Sequence, residues 1–381
     1  MWRKCFKDCK KNHWGIKKIM IKLFDLKKQF KLFDRKINKD VLNILSSGSY
    51  ILGKNVSHLE KDTKKYLQSK YTLSCNSGTD ALILSLRALD IGTNDEVITS
   101  PFTYFATAEA ISLVGAKPIF CDINPDTFNI NPVNIKKSIS KKTKAILSVN
   151  LFGQACQLKE INTIAKEHRL YHIEDCAQSF GATYMSKQSG TFGDMGCFSF
   201  FPTKNLGCFG DGGLISVKNK KHYEKLKKLR THGGIKRNQH DLIGYNSRLD
   251  EIQAAILCIK LKFLDKLLDQ RRNIAKIYQE TICNEKIKLP MCNMYARHTY
   301  NQYTLRVKNR KRFIGYLEEN NIPYGVYYSK PIYKYKAYIK HRYKELPIAE
   351  KISKECISIP IYPELPLSDV AKICDILNNY E

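Results

Sequence analysis

The chain has 381 residues, with 64 Lys and Arg against 36 Asp and Glu, a formal net charge of +28, and 43% hydrophobic and 26% charged residues. These proportions allow a sizeable core and exclude wholesale disorder, and the length suggests two or three structural units. No run of about 18 apolar residues is present, so no membrane span is predicted, and the basic segment Met1 to Lys18 lacks the apolar stretch of a secretory signal.

Residues 1–19 read as a basic appendage. Within it, Cys5-x3-Cys9-x3-His13 would put three metal ligands on one helical face, but the segment is short and basic and no metal site is expected. Residues 20–46 read as a helical arm: Leu26, Phe30, Leu32, Phe33, Ile37, Val41, Leu42, Ile44 and Leu45 have helix-like spacing, and Ser46-Ser-Gly-Ser49 ends it. From about residue 70, strands alternate with helices. Strands are predicted at Glu96–Thr99, Pro118–Cys121, Ala145–Val149, Tyr171–Ile173, Cys197–Phe201 and Leu214–Val217, and helices at Asp80–Leu89, Ala106–Leu113 and Leu158–His168. Such alternation argues for an α/β unit with a largely parallel sheet. Arg248–Leu268 reads as one long helix. A weaker pattern follows, with a strand at Tyr303–Val307 and helices at Arg310–Asn320 and Ser368–Leu377, suggesting a second, smaller α+β unit from about residue 265.

The 13 cysteines are scattered without a CxxC pair, as expected of small core hydrophobes in a reducing cytoplasm. Basic residues are spread along the whole chain, for example Lys27-Lys28, Lys141-Lys142 and Lys227-Lys228, with no RNA-binding aromatic signature or zinc finger. A dedicated nucleic-acid stripe would be clustered, so no specific nucleic acid is expected, although the field would attract an anionic substrate.

Neither G-x-x-x-x-G-K-[ST] nor a strand followed by G-x-G-x-x-G occurs, which argues against a P-loop kinase or a Rossmann dehydrogenase. Four other features stand out. Cys75-Asn-Ser-Gly-Thr-Asp80 opens a helix and offers either a phosphate site or an ordinary cap. Ile173-Glu-Asp-Cys-Ala-Gln178 puts two acids at the carboxyl end of a buried strand, suited to hold a cationic heterocyclic nitrogen or to cap a helix. Lys204, between Cys197-Phe-Ser-Phe-Phe-Pro-Thr and the Gly-rich run to Gly213, is expected in a confined place where desolvation makes an amine a usable nucleophile for a Schiff base. Gly244-Tyr-Asn-Ser-Arg-Leu-Asp-Glu251 presents Arg248, able to grip a carboxylate or phosphate, or simply to start a surface helix.

Together these motifs closely resemble the DegT-like family of pyridoxal-phosphate (PLP) nucleotide-sugar aminotransferases. The resemblance covers about residues 21–376 and extends to Phe102-Thr-Tyr-Phe-Ala-Thr107, Asp122-Ile-Asn-Pro, Asn150-Leu-Phe-Gly-Gln154 and the Gly325–Pro331 stretch. It implies an α/β fold, the PLP-dependent transferase fold type I. A large domain over 20–264 would carry a mostly parallel seven-stranded sheet flanked by helices, and a smaller α+β domain would span 265–381. It also implies that Lys204 forms the Schiff base with the cofactor and shuttles the α-proton. Asp175 would pair with the pyridine nitrogen, Gln178 would lie near the ring 3-hydroxyl and Tyr104 would stack on the ring. The phosphate would lie against Gly78, Thr79 and Ser199, with Asn246 entering from a second subunit of a homodimer.

Dehydratases of the family carry His in place of this lysine, so Lys204 implies transamination: glutamate donates, and the pyridoxamine form aminates a keto carbon of a nucleotide-linked sugar. Asn246-Ser-Arg-Leu-Asp250 resembles members acting on 3-keto sugars, either 3-keto-6-deoxyhexoses or 2-acetamido-3-keto-glucuronate, more than the C4-aminating members, which read N-Y-R-M. Arg248, Tyr327 and Tyr328 would meet the substrate. In the glucuronate group a His precedes Tyr-Pro-x-Pro-Leu, whereas this chain reads Val326-Tyr-Tyr-Ser-Lys-Pro-Ile332; Tyr327 can donate one hydrogen bond but cannot become cationic near neutral pH. C4 amination and a non-catalytic regulatory or nucleic-acid-binding role of the same fold are the alternatives.

Overall fold

The computed structural model describes residues 21–236, 238–341 and 343–381. The appendage 1–19 and the Cys5, Cys9 and His13 group lie outside the described residues. In chain order the strands are β1 (Tyr71–Cys75), β2 (Glu96–Thr99), β3 (Lys117–Phe120), β4 (Thr143–Val149), β5 (Tyr171–Asp175), β6 (Thr183–Tyr184) and β7 (Lys187–Gln188). They continue with β8 (Met195–Ser199), β9 (Gly213–Val217), β10 (Ile287–Lys288), β11 (Ala296–Arg297), β12 (Tyr303–Val307) and β13 (Cys356–Ile359).

Seven of them form the main sheet in the order β1-β9-β8-β5-β4-β2-β3. Only β9 runs against its neighbours, β1 and β8. The strands of the parallel part are apolar on both faces because helices cover both faces: β4 and β5 are buried along almost their whole length. The carboxyl ends of β1, β5 and β8 therefore share one edge, and Cys75, Asp175 and Ser199 sit at it. The helix Gly78–Ala88 lies so deep that Ala81 to Leu86 are buried without a polar face, which is why its sequence shows little amphipathic pattern.

A second core gathers around Tyr278, Tyr303, Phe313, Ile357 and Leu377, beneath the small sheet β10-β12-β13. The helix Leu264–Thr281 joins the two cores: Leu264 and Leu268 pack with the β8–β9 cluster, while Ile274 and Tyr278 pack in the second. We propose that the large and small units meet along this helix.

Two helix readings are corrected. Arg248–Leu268 is not one helix; Glu251–Leu261 and Leu264–Thr281 are separate, broken at Lys262 and Phe263, and Arg248 lies before the first. The arm is likewise two helices, Leu26–Lys31 and Asp34–Ser47, broken at Leu32 and Phe33. Both breaks lack Gly or Pro, and the apolar period runs straight across them. A further helix, Lys54–Leu67, is anchored through its first turn: the Glu251 carboxylate accepts from the amides of Asn55 and Val56, each at 2.9 Å.

Candidate active site

Asp175, the last residue of β5, is 5% exposed. One carboxylate oxygen accepts from the Thr107 hydroxyl at 2.8 Å and the other from the amide of Ala177 at 3.1 Å. Burial pushes its pKa up, opposed by these two bonds and by the nearby charge of Lys204. Glu174, beside it, points the other way and serves the fold: it accepts from the amides of Gly190, Phe192 and Gly193 at 2.7 to 2.9 Å.

Lys204 is half-buried in the loop after β8. Loss of water pulls its ammonium down to about 8, against the opposing pull of the Asp175 carboxylate. The loop is held by its own turn, Lys204 amide to Phe201 carbonyl at 2.9 Å, and by its neighbour: Asn205 donates to Phe180 O at 3.2 Å and accepts from Asn301 at 3.1 Å.

Gln178 accepts from the amide of Phe152 at 2.7 Å and donates to the Tyr328 hydroxyl at 3.2 Å. Burial raises the Tyr328 phenol well above its usual range, so it stays protonated. Its ring meets Phe102 edge-on at 6.0 Å and Tyr104 at 6.4 Å. Tyr104 is 63% exposed, so one aromatic face is open at this end of the sheet. Tyr327 is half-buried, with its ring 6.1 Å from that of Tyr328.

The turn after β1 closes against β8. A Cβ on Gly78 would lie 2.7 Å from Ser199 Cβ, so only glycine lets the two approach this closely. Ser77 caps the following helix by accepting from Asp80 N at 3.0 Å. The amides of Gly78 and Thr79 belong to the first turn, whose donors have no acceptor within the helix.

The 246–248 segment is tied to this same turn. Ser247, fully buried, donates to the Asp80 carboxylate at 2.6 Å and accepts from the Asn76 amide at 3.3 Å. Asn246 on one side is exposed and Arg248 on the other is half-buried. Thus Asp175, Lys204, Gln178, Tyr104 and Tyr328 gather at one end of the sheet, and Gly78 and Thr79 lie in the adjoining turn, closed by Ser199 of β8 and by Ser247. Asn246 and Arg248 reach the group through Ser247, with no direct polar contact to Asp175 or Lys204. Sequence reasoning missed Thr107 and Ser247. Each lies inside a motif already singled out, but nothing local marks its partner.

These residues fit a phosphorylated, cationic heterocyclic aldehyde. A buried carboxylate faces an amine of lowered pKa, an exposed aromatic face stands beside them, and a helix N-terminus opens at a cradle that a Cβ would fill.

Comparison with known proteins agrees. The model of the DegT/DnrJ/EryC1/StrS aminotransferase family matches residues 32–378. A relative from Geobacillus stearothermophilus described as a pleiotropic regulatory protein is 41% identical over 91% of this chain and 94% of its own. The UDP-2-acetamido-2-deoxy-3-oxo-D-glucuronate aminotransferase of Pseudomonas aeruginosa is 39% identical over 94% of this chain and 100% of its own. The dTDP-3-amino-3,6-dideoxy-alpha-D-galactopyranose transaminase of Aneurinibacillus thermoaerophilus is 42% identical over 95% and 99%. The crystal structure of S. venezuelae DesV in complex with a ketimine intermediate superposes with a TM-score of 0.92 at 32% identity, covering 94% of this chain and 98% of that one. NtdA from Bacillus subtilis with bound PMP gives 0.86 at 28% identity, covering 94% and 84%. The chain belongs to the DegT/DnrJ/EryC1/StrS aminotransferase family and is a pyridoxal-phosphate-dependent aminotransferase.

Proposed function

We propose that the enzyme transfers an amino group from glutamate to the C3 keto carbon of a nucleotide-linked sugar, for the synthesis of an amino-sugar glycan. The observation that carries the chemistry is the Asp175 carboxylate acting on a Lys204 amine whose pKa burial brings to about 8. The choice of C3 is supported by the 3-keto-sugar enzymes among the relatives at 39 to 42% identity and by Asn246-Ser-Arg248.

Bound pyridoxal phosphate supplies an electron sink for the carbanion formed at the substrate carbon. Asp175 would hold the pyridine nitrogen protonated, its carboxylate kept in place by Thr107 and Ala177. Lys204 would bind the cofactor and, once released from it, take the α-proton as a neutral amine and return it. Gln178 would stand by the ring 3-hydroxyl and Tyr104 would cover the ring. Gly78, Thr79 and Ser199 would hold the phosphate. Arg248 would receive a substrate carboxylate or phosphate, and Tyr327 and Tyr328 would donate hydrogen bonds to the sugar. In this reading Asn246 serves the site of a second copy, the working unit is a homodimer, and the enzyme acts in the cytoplasm.

The test is a visible spectrum before and after glutamate, repeated on Lys204→Ala, followed by assignment of the aminated carbon by NMR on 3-keto and 4-keto nucleotide sugars. A glutamate-bleached band in the wild type alone, with amination at C3, is expected. Amination at C4 would overturn the positional reading. A protein that takes up no PLP, and whose biological role survives Lys204→Ala, would instead favour the regulatory role carried by the Geobacillus relative's description.

A further inference from the structure

Lys260 lies in the last turn of the helix Glu251–Leu261 and is 1% exposed. Its ammonium donates to two neutral oxygens: the side-chain carbonyl of Gln29 at 2.7 Å, and the backbone carbonyl of Gly207. It also stands 5.4 Å from the centre of the Phe209 ring. Among the described residues it forms no ion pair. Cys208 and Glu364 act on it through space, and Asp25 and Arg271 act on Glu364 in turn. Burying a charge on neutral acceptors is costly, and apolar replacements of buried charges are often neutral or stabilising. Stability is therefore a poor account of why an ammonium occupies this place.

What the ammonium joins is specific. Gly207 closes the turn that carries Lys204: a Cβ on Gly207 would lie 2.6 Å from Pro202 O and 2.8 Å from Phe201 O, and Phe201 O is the acceptor of the Lys204 amide. A shift of Gly207 is therefore passed to the backbone of Lys204. Gln29 sits on the first arm helix, 7% exposed. The arm is packed onto the same place: Phe30 meets Phe209 edge-on at 5.9 Å, and Phe33 and Ile37 pack with Ile256 and Ile259, one turn and one residue before Lys260 on its helix.

We propose that Lys260 is a positioning residue for the reactive lysine, its ammonium tying the carbonyl of Gly207 to Gln29 so that the seating of the N-terminal arm sets where the Lys204 amine stands. The inference rests on Lys204 being the cofactor-bearing amine. The link is mechanical: the arm, the loop and the helix meet at one donor with two acceptors, and removing the donor frees the loop while leaving the apolar packing in place.

The test uses the PLP-loaded full chain as wild type, Lys260→Met, Lys260→Arg and Gln29→Leu. The readouts are kcat and KM for glutamate, the midpoint pH of the visible band, and the thermal midpoint. Lys260→Met is expected to lower kcat about 10- to 100-fold, the range that a small misplacement of a reacting group produces, with KM changed less than about twofold. The midpoint pH of the band should move, and the thermal midpoint should not fall in proportion. Gln29→Leu should move kcat and the band in the same direction by less, and Lys260→Arg should recover part of the loss. Unchanged kcat and band midpoint in Lys260→Met would overturn the proposal, as would a change in thermal midpoint alone. If Lys260→Met does not fold, an unchanged kcat and band in Gln29→Leu overturns it. A wild type without a glutamate-bleached band would instead sink the assignment of Lys204, which separates the two failures.

Discussion

Thr107 donates its hydroxyl to Asp175 at 2.8 Å and is itself 3.1 Å from the hydroxyl of Thr103. This joins the first turn of the helix Ala106–Leu113 to the carboxyl end of the central strand, so the orientation of the Asp175 carboxylate is fixed from outside its own strand. Thr107→Val keeps the shape and removes the donor. A buried carboxylate oxygen then loses its partner, at a cost of about 1–3 kcal/mol. Because the hydroxyl holds the Asp175 pKa down against burial, its removal pushes that pKa up and weakens the charge offered to a pyridine nitrogen. The expected outcome is a kcat lowered by about 10-fold, near the value of one hydrogen bond to a charged group, with Thr107→Ser close to wild type. Steady-state kinetics and thermal melts on the three proteins check it.

Gly78→Ala tests the phosphate turn. The added methyl would meet Ser199 Cβ at 2.7 Å and the Ser199 Cα at 3.2 Å, and the second of these is backbone. The turn and β8 must separate, at about 1–3 kcal/mol, and the first-turn amides move with them. PLP affinity is expected to fall at least about tenfold, a loss of about 1.4 kcal/mol in binding. Pairing the change with Ser199→Gly should relieve the Cβ contact without restoring full affinity. Equilibrium PLP titration, followed by absorbance, decides; unaltered affinity in Gly78→Ala would remove this turn from the phosphate site.

The parts legible in the sequence were those where one segment suffices. The strands of the parallel sheet are short, β-branched and bounded by turn residues, and the strand expected at Tyr303–Val307 has the same bounds in the structure. Asp175 stands out because it ends such a strand, and Lys204 because it lies in the Gly-rich loop that follows one. The break at Lys262 and Phe263 does not, because Leu264, Leu267 and Leu268 continue the period of Ile256 and Ile259 and only Phe263 leaves the helical backbone, at φ −110° and ψ 1°. Ser247 with Asp80 and Glu251 with Asn55 pair across more than 160 residues, and nothing near either partner announces the other. Nothing near Lys260, between Ile259 and Leu261, announces its burial, because its two acceptors come from the arm and from a loop.

The lowered pKa of Lys204 gives a rate prediction for the cofactor-free protein. Only the neutral amine attacks an aldehyde. Its ammonium releases its proton at about 8 rather than at the ordinary lysine value of 10.5. The rate of PLP capture should therefore rise with pH through about 8 and level off above it, instead of climbing toward 10.5. Asp175 opposes this shift by favouring the ammonium, so Asp175→Asn should move the midpoint down. Stopped-flow absorbance across pH 6 to 10, an interval of about two units on either side of the midpoint, measures both; a midpoint near the ordinary lysine value would contradict the confined amine.

His172 gives an acid-stability prediction. It is 1% exposed at the middle of β5's first half, with Nε2 2.9 Å from the Ser148 hydroxyl. Burial, helped by the charge of Lys218, lowers its pKa from 6.5 to about 3. Between those values the unfolded chain takes up a proton that the folded chain refuses. Stability therefore rises with pH across that window and is lost as pH falls below 6.5, by about 1.4 kcal/mol per pH unit for one such group. Glu174 and Asp175, whose pKa values are raised in the fold, act with the opposite sign near the lower end, so the comparison must be with a variant that lacks only the imidazole. His172→Gln keeps a polar group toward Ser148 and cannot be protonated. Its stability at neutral pH should be lower than that of the wild type, but the gap should narrow steadily as the pH falls from 6.5 toward 4.5. Urea melts at half-unit pH steps provide the measurement, and parallel pH profiles for the two proteins would show that His172 is not held neutral by burial.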